Sequence, residues 1–247
     1  MKISIITISY NAFETIEKTI VSVINQTYTN IEYIVVDGNS DDGTIQIINK
    51  YKDCIDILIC EEDNGIYDAF NKGIKNATGE LITFLNAGDY YDSDYCDFVI
   101  SNFPKYGNFL CTNVLFYDKN NKKTLSCPSY PIVKTGVPPF LHPSLIVRSN
   151  LFVELGLFNI NYRTFSDFDW MLKLINNNKT GLYINATKVY FESDGRSSKF
   201  LLKEYMTILK NNNYNFFKLI YSMFYYIFFH LKLKSKNHKN ESKINNF

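Results

Sequence analysis

The feature that most constrains this chain is a rhythm in its first hundred residues. Short β-branched runs recur about every 25 residues, and each gap between them carries apolar residues at helical spacing. ISIITIS (3–9), IEYIVVD (31–37), DILIC (56–60) and ELITFL (80–85) read as strands. The stretches 13–26, 42–52 and 66–77 read as helices. The first keeps Ile16, Ile20, Val23 and Ile24 on one face, and the third keeps Ile66, Ala69, Phe70, Gly73 and Ile74. Strands that alternate with helices pair in parallel, because only a crossover connection can reach a parallel neighbour. The rhythm therefore predicts an α/β, doubly wound sheet. At 247 residues and 46% apolar, the chain can build one such domain with an appendage.

In an open sheet of this kind, ligands bind beyond the carboxyl ends of the strands. The first strand ends at Ser9-Tyr10-Asn11, the second at Asp37-Gly38-Asn39-Ser40 and the fourth at Asn86-Ala87-Gly88-Asp89. All three polar clusters are predicted on one edge. A helix N-terminus approached through Gly and Ser can hold an anion. Equally, Ser40 or Asp41 can simply cap the helix. Neither a P-loop nor G-x-G-x-x-G is present. Asp89 suits a hard divalent cation, since a lone protein carboxylate suffices when substrate phosphates supply other ligands. Its bland alternative is a turn aspartate. Asp68 and Lys72 are either site residues or an i,i+4 ion pair worth about 0.2–0.5 kcal/mol.

The second half is less regular. Strands are expected at 109–117, 144–148 and, as one or two pieces, 181–192, with a polar turn at 118–124 and a Pro-rich loop at 128–143. A helix over 166–177 carries Asp167 and Asp169 in its first turn after Ser166. Capping and the macrodipole explain acids there, and keep them ionised. Packing against Phe165, Phe168 or Trp170 would make one a stronger base. His142 lies in a constrained loop, where a lone histidine either packs or reacts. From about 198 the chain turns helical, then aromatic. LIYSMFYYIFFHL (219–231) is shorter than the ~20 residues that span a bilayer. With Lys232, Lys234, Lys236, Lys239 and Lys243 behind it, the run fits an interfacial helix on anionic lipid, or a docking helix.

Totals exclude other classes. A net charge of +1 gives no footing for nucleic-acid binding. Five cysteines without a C-x-x-C point to neither zinc nor a disulfide framework, and to a reducing compartment. The N-terminus MKISIITISYN reads as a first strand rather than a signal peptide.

SIITISYN, IEYIVVDG, DNGIYDAFNKGI, FLNAGD, HPSLIVR and SDFDWMLKL, in this order, resemble inverting family 2 glycosyltransferases of GT-A fold over about 1–195. The likeness is to those that assemble bacterial O-antigen, capsule and exopolysaccharide. The resemblance implies a GT-A domain over 1–197, with a nucleotide-binding half (1–100) and an acceptor half (101–197), and an extension over 198–247. It implies that Thr7, Tyr10, Asn11, Asp37, Ser40, Asp68 and Lys72 serve the nucleotide, and that Asp89 holds Mg²⁺ or Mn²⁺. It also implies that Asp167 is the catalytic base and that His142 and Asp169 line the acceptor side. The expected activity moves one sugar from a nucleotide sugar, a UDP-sugar, to a glycan or lipid-linked acceptor. The place expected is the cytoplasmic face of the membrane, contacted through 214–243. Polymerisation is not expected, because Q-x-x-R-W is missing. Many members of the resembled family carry acids where Gly38, Asn86 and Gly88 stand here, and the departures at Gly38 and Gly88 leave open a catalytically silent nucleotide-sugar-binding subunit. A nucleotidyltransferase would need a basic loop near the N-terminus, and SYNAFET (9–15) holds no Lys or Arg.

Overall fold

The structure is a computed structural model, and it describes residues 1–117, 123–126, 141–192 and 202–214. Four expected strands appear as β1 (Ile3–Ser9), β2 (Ile31–Asp37), β3 (Ile57–Cys60) and β4 (Leu81–Asn86). Between them run α1 (Ile16–Ile24), α2 (Thr44–Lys50) and α3 (Ile66–Asn76). Then follow β5 (Tyr90–Tyr91), α4 (Tyr95–Asn102), β6 (Phe109–Tyr117), β7 (Lys123–Ser126), β8 (Leu145–Arg148), α5 (Asn150–Glu154), α6 (Ser166–Asn176), β9 (Gly181–Glu192) and α7 (Leu202–Asn211). One sheet runs β3-β2-β1-β4-β8-β6-β9-β5, with β7 on β6. The strands β3, β2, β1 and β4 pair in parallel, and β6 pairs in parallel with β9. The antiparallel β8 sits between these two parallel groups.

Alternation along each strand feeds two cores. Ile3, Ile5, Val35, Leu81 and Leu85 pack against α1, α2 and α4 through Ile16, Ile20, Ile48 and Val99. Ile6, Ile34, Val36, Ile82 and Phe84 pack against α3, α5 and α6 through Phe70, Ile74, Phe152 and Trp170. Every residue of β1 is buried, which is why it reads as a β-branched, mostly apolar run without strict alternation. Each such buried aliphatic side chain contributes about 1.5–3 kcal/mol. Gly73 lets α3 approach β1: a Cβ there would lie 2.4 Å from Ile6 Cγ2.

Several sequence expectations shift. The second helix starts at Thr44, two residues late; neither Ser40 nor Asp41 caps it, and Asp42 Oδ1 accepts from Thr44 N at 3.0 Å instead. Ser166 does not cap α6; its hydroxyl is buried without a partner. Glu204 of α7 instead accepts from the N–H groups of Arg163, Thr164 and Phe165, each at 2.8 Å, and so fixes the loop into α6. The segment 181–192 is one strand, with register shifts opposite Thr112–Val114. The loop expected over 128–143 lies mostly outside the described residues, as do 118–122 and the aromatic and basic tail. No helix among the described residues is long and apolar enough to cross a membrane.

At the amino ends of the strands, away from the site, Glu32 is 4% exposed. It accepts from Lys2 Nζ (2.7 Å), Ser4 Oγ (2.6 Å) and Thr78 N (2.7 Å). Burial opposes its ionisation, yet these bonds outweigh it and hold the carboxyl at about 2. A depressed folded value means that the stabilisation is complete above the unfolded value of 4.5 and drains away as pH falls towards 2. Glu32→Gln is expected to cost about 1.5–3 kcal/mol in a urea melt at pH 7. The gap to wild type should shrink at pH 3, and an equal gap at both values would refute the linkage.

Candidate functional site

The strand register sets the site. Ser9 lies beside Asp37 and Ile8 beside Asn86, so the three polar strand ends form one edge, as expected. A cleft of about 450 Å³ opens there, walled by the β1–α1 loop, the N-terminus of α3, the 86–89 turn and the end of β9.

The loops are held from behind. Asp37 is fully buried; its carboxylate accepts from Ser9 Oγ (2.6 Å), Ser40 N (2.7 Å) and Ser40 Oγ (2.8 Å). Ser40 Oγ in turn accepts from Asn11 N at 2.8 Å, and Asn11 Oδ1 from Asp41 N at 3.1 Å. Asn11 takes a φ of +46°, which Asn tolerates better than most residues. The network presents Tyr10, 53% exposed, at the rim, where an aromatic ring can stack on a base. The 86–89 turn is pinned by Thr19 of α1, whose hydroxyl accepts from Gly88 N (2.9 Å) and donates to Asp89 O (2.8 Å). Tyr117 donates to Gly88 O from the other side.

Asp89 is 2% exposed and still lines the cleft. Its Oδ1 accepts from Glu192 N at 3.0 Å, while its Oδ2 is buried with no partner. Burial pushes the carboxyl up to about 7; His142 and the Glu192 N–H pull against this, and the Glu192 carboxylate adds to the rise. Asn86 Oδ1 also lacks a partner. An unsatisfied buried carboxylate oxygen is costly, so these two oxygens suit a cationic ligand. The wall supports the same conclusion. Among the described residues it carries Glu14, Asp63, Asp89 and Glu192 and no Lys, Arg or His. Such a wall suits a cation and repels a bare anion. No group of three or more His, Cys, Asp or Glu converges among the described residues, so the ligand itself would have to complete the shell.

Beside the cleft runs a hydrogen-bonded chain. Asn86 presents Nδ2 to His142 Nε2 at 3.0 Å, where a neutral ring accepts. Its remaining N–H, on Nδ1, faces Asp167 Oδ2 at 3.3 Å. Asp167 Oδ1 accepts from Phe168 N (2.9 Å) and lies 2.8 Å from Tyr67 OH, which also reaches Thr164 O at 2.7 Å. Burial and the Asp167 charge push the Tyr67 hydroxyl well above its ordinary value, so it remains a donor. Asp167 itself is partly exposed and lies outside the main cleft, which it reaches through His142 and Asn86.

Of the residues singled out from sequence, Tyr10, Asn11 and Asp89 line the cleft, and Asp37 and Ser40 support it. His142 and Asp167 adjoin it. Thr7 is fully buried within β1 against Tyr33 OH, at 3.2 Å. Lys72 pairs with Glu61 (3.0 Å) and Asp68 (3.8 Å), the bland reading of that pair, and neither Asp68 nor Lys72 is in the cleft wall. Asp169 faces α7, accepting from Asn212 Nδ2 at 2.9 Å with Lys173 at 3.2 Å.

Four residues escaped the sequence reading: Tyr67, Glu204, Asp63 and Glu192. Asp63 Oδ2 lies 2.5 Å from where a Cβ of residue 38 would stand, and Glu192 Oε2 lies 2.2 Å from where one of residue 88 would stand. Only DNG after the third strand hinted at Asp63. Nothing local marked the other three.

The model of the glycosyl transferase family 2 matches residues 4–151. The Escherichia coli UDP-Glc:alpha-D-GlcNAc-diphosphoundecaprenol beta-1,3-glucosyltransferase WfaP is 37% identical over 122 residues, 48% of this chain and 45% of that protein. The match therefore spans less than half the length of that relative. Among solved structures, S. aureus TarS 1-349 in complex with UDP-GlcNAc superposes with a TM-score of 0.67 at 20% identity, covering 86% of this chain and 65% of that one. Mannosyltransferase PcManGT from Pyrobaculum calidifontis, in complex with GDP-Man and Mn²⁺, gives 0.61 at 16% identity, covering 85% and 62%. The GT-A fold expected from sequence is borne out by these likenesses.

Proposed function

The chain belongs to glycosyl transferase family 2, and from that premise we propose that it transfers a single sugar, with inversion, from a UDP-sugar to a glycan or lipid-linked acceptor in surface polysaccharide assembly. The carrying observation is the acid-walled cleft at the carboxyl edge of the sheet, with the buried, unpartnered Asp89 Oδ2 inside it. Support for the donor comes from the UDP-GlcNAc bound by TarS and from the UDP-Glc in the name of the E. coli relative, and that name also carries a lipid diphosphate acceptor.

Asp89, with Asn86 Oδ1 beside it, would hold Mg²⁺ or Mn²⁺ against the diphosphate. When bound, the cation supplies positive charge to a leaving group that becomes more negative. The protein does the rest. Tyr10 stacks on the base, and Asn11, Ser40 and Asp37 fix the loop that carries it. The acceptor hydroxyl attacks the anomeric carbon as the carbon–diphosphate bond breaks, and Asp167 takes the hydroxyl proton. Tyr67, Phe168 N–H and His142 aim that carboxylate, and Glu204 fixes the approach to its helix. Membrane contact through 214–243 belongs to the same proposal and rests on the basic, aromatic sequence there.

The test supplies UDP-sugars, Mn²⁺ or Mg²⁺ and a lipid-linked acceptor and follows UDP release. Acceptor-dependent release is the expected result. Tight UDP-sugar binding without release under every acceptor would identify a silent subunit instead.

A further inference from the structure

Gly88 and Glu192 are 104 positions apart, yet the Glu192 carboxylate occupies the space a side chain at 88 would need. A Cβ on residue 88 would also touch Glu192 Cβ and Cδ at 3.4 Å, and Gly88 takes a φ of +105°, where other residues are strained. Position 88 is thus kept without a side chain, and an acid from β9 fills the gap. The placement is held by the backbone: Glu192 N donates to Asp89 Oδ1 at 3.0 Å. It is also held by strand pairing, with β5 antiparallel to β9 at Tyr90–Tyr190, whose rings stack at 4.4 Å.

We propose that Glu192 is a second carboxylate for the divalent cation, acting with Asp89 across the 86–89 turn. Two acids face one cleft with no basic residue in its described wall, and like charges so placed repel. A cation between them converts that repulsion into binding, whereas a neutral ribose hydroxyl would leave it in place. The buried, unpartnered Asp89 Oδ2 supplies the second half of the clamp. The role rests on the donor reading proposed above.

The test is UDP binding by calorimetry with and without Mn²⁺, in wild type, Glu192→Gln and Asp89→Ala. Glu192→Gln retains side-chain length and the backbone bond to Asp89, so its melting temperature without metal should be unchanged or higher. Its Mn²⁺-dependent gain in UDP affinity should fall at least tenfold, with metal-free UDP binding unaltered. If Asp89→Ala loses the gain and Glu192→Gln keeps it, the second-carboxylate role is overturned while the donor reading stands. Equal weakening with and without Mn²⁺ would make Glu192 a nucleoside contact and also overturn the role. If UDP binds wild type with no Mn²⁺ effect, the cation and with it the second-carboxylate role fall, whereas no UDP binding at all overturns the donor reading.

Discussion

Asp89→Ala is expected to reduce sugar transfer by roughly 10³-fold or below detection, and to remove the dependence of UDP binding on Mg²⁺ or Mn²⁺. The size follows from the environment. Asp89 is 2% exposed, its Oδ2 has no partner, and burial already opposes its charge. A protein gains nothing in stability from holding a carboxylate that way. Asp89→Asn, which keeps an acceptor for Glu192 N–H, should therefore melt at the same temperature as wild type or higher, in the usual trade of stability against function. Unfolding of Asp89→Asn would show that the acid is structural. Metal-dependent UDP binding by Asp89→Ala would remove it from the cation site.

The second large effect concerns Asp167. Asp167→Asn is expected to lower turnover by about 10²–10⁴-fold, the range typical for loss of a general base. UDP binding without metal should hold, because Asp167 is not in the wall of the main cleft. The amide can still accept at Oδ1 from Phe168 N and Tyr67 OH. At the other atom an N–H₂ would meet the His142 Nδ1–H, so the ring must change tautomer and Asn86 must turn over to match. A modest disturbance at Asn86 is thus built into the variant, and UDP affinity measured beside turnover separates it from loss of the base. Wild-type turnover would refute the base assignment.

Much of the sheet was legible because its strands are buried on both faces. β1, β2 and β4 appear as largely apolar, β-branched runs broken by few polar residues, and their polar ends fall in register at one edge. α4, α5, β5 and β7 were not anticipated, and β7 begins inside the turn expected over 118–124. α4 has eight residues and the others fewer, too few for a period to emerge. Asp167 and Asp169 were equivalent by composition, both in the first turn of α6. Two residues apart on a helix is about 200°, so one meets His142 and the other meets Asn212, and only packing decides which. Asp68 and Lys72 sit near the edge in sequence but spend their charges on each other and on Glu61.

Sequence alone determined the α/β alternation, the shared edge and the local acid Asp89, since each is written in residues that are neighbours along the chain or repeat with a short period. It also placed two glycines, Gly38 and Gly88, at that edge, where the family resemblance implies acids. Tertiary structure decided that neither place is empty, for Asp63 and Glu192 put their carboxylates there from other parts of the chain. The reason is physical: strand order and register fix which side chains share a cleft, and contacts between residues so far apart in the chain leave no local pattern to read.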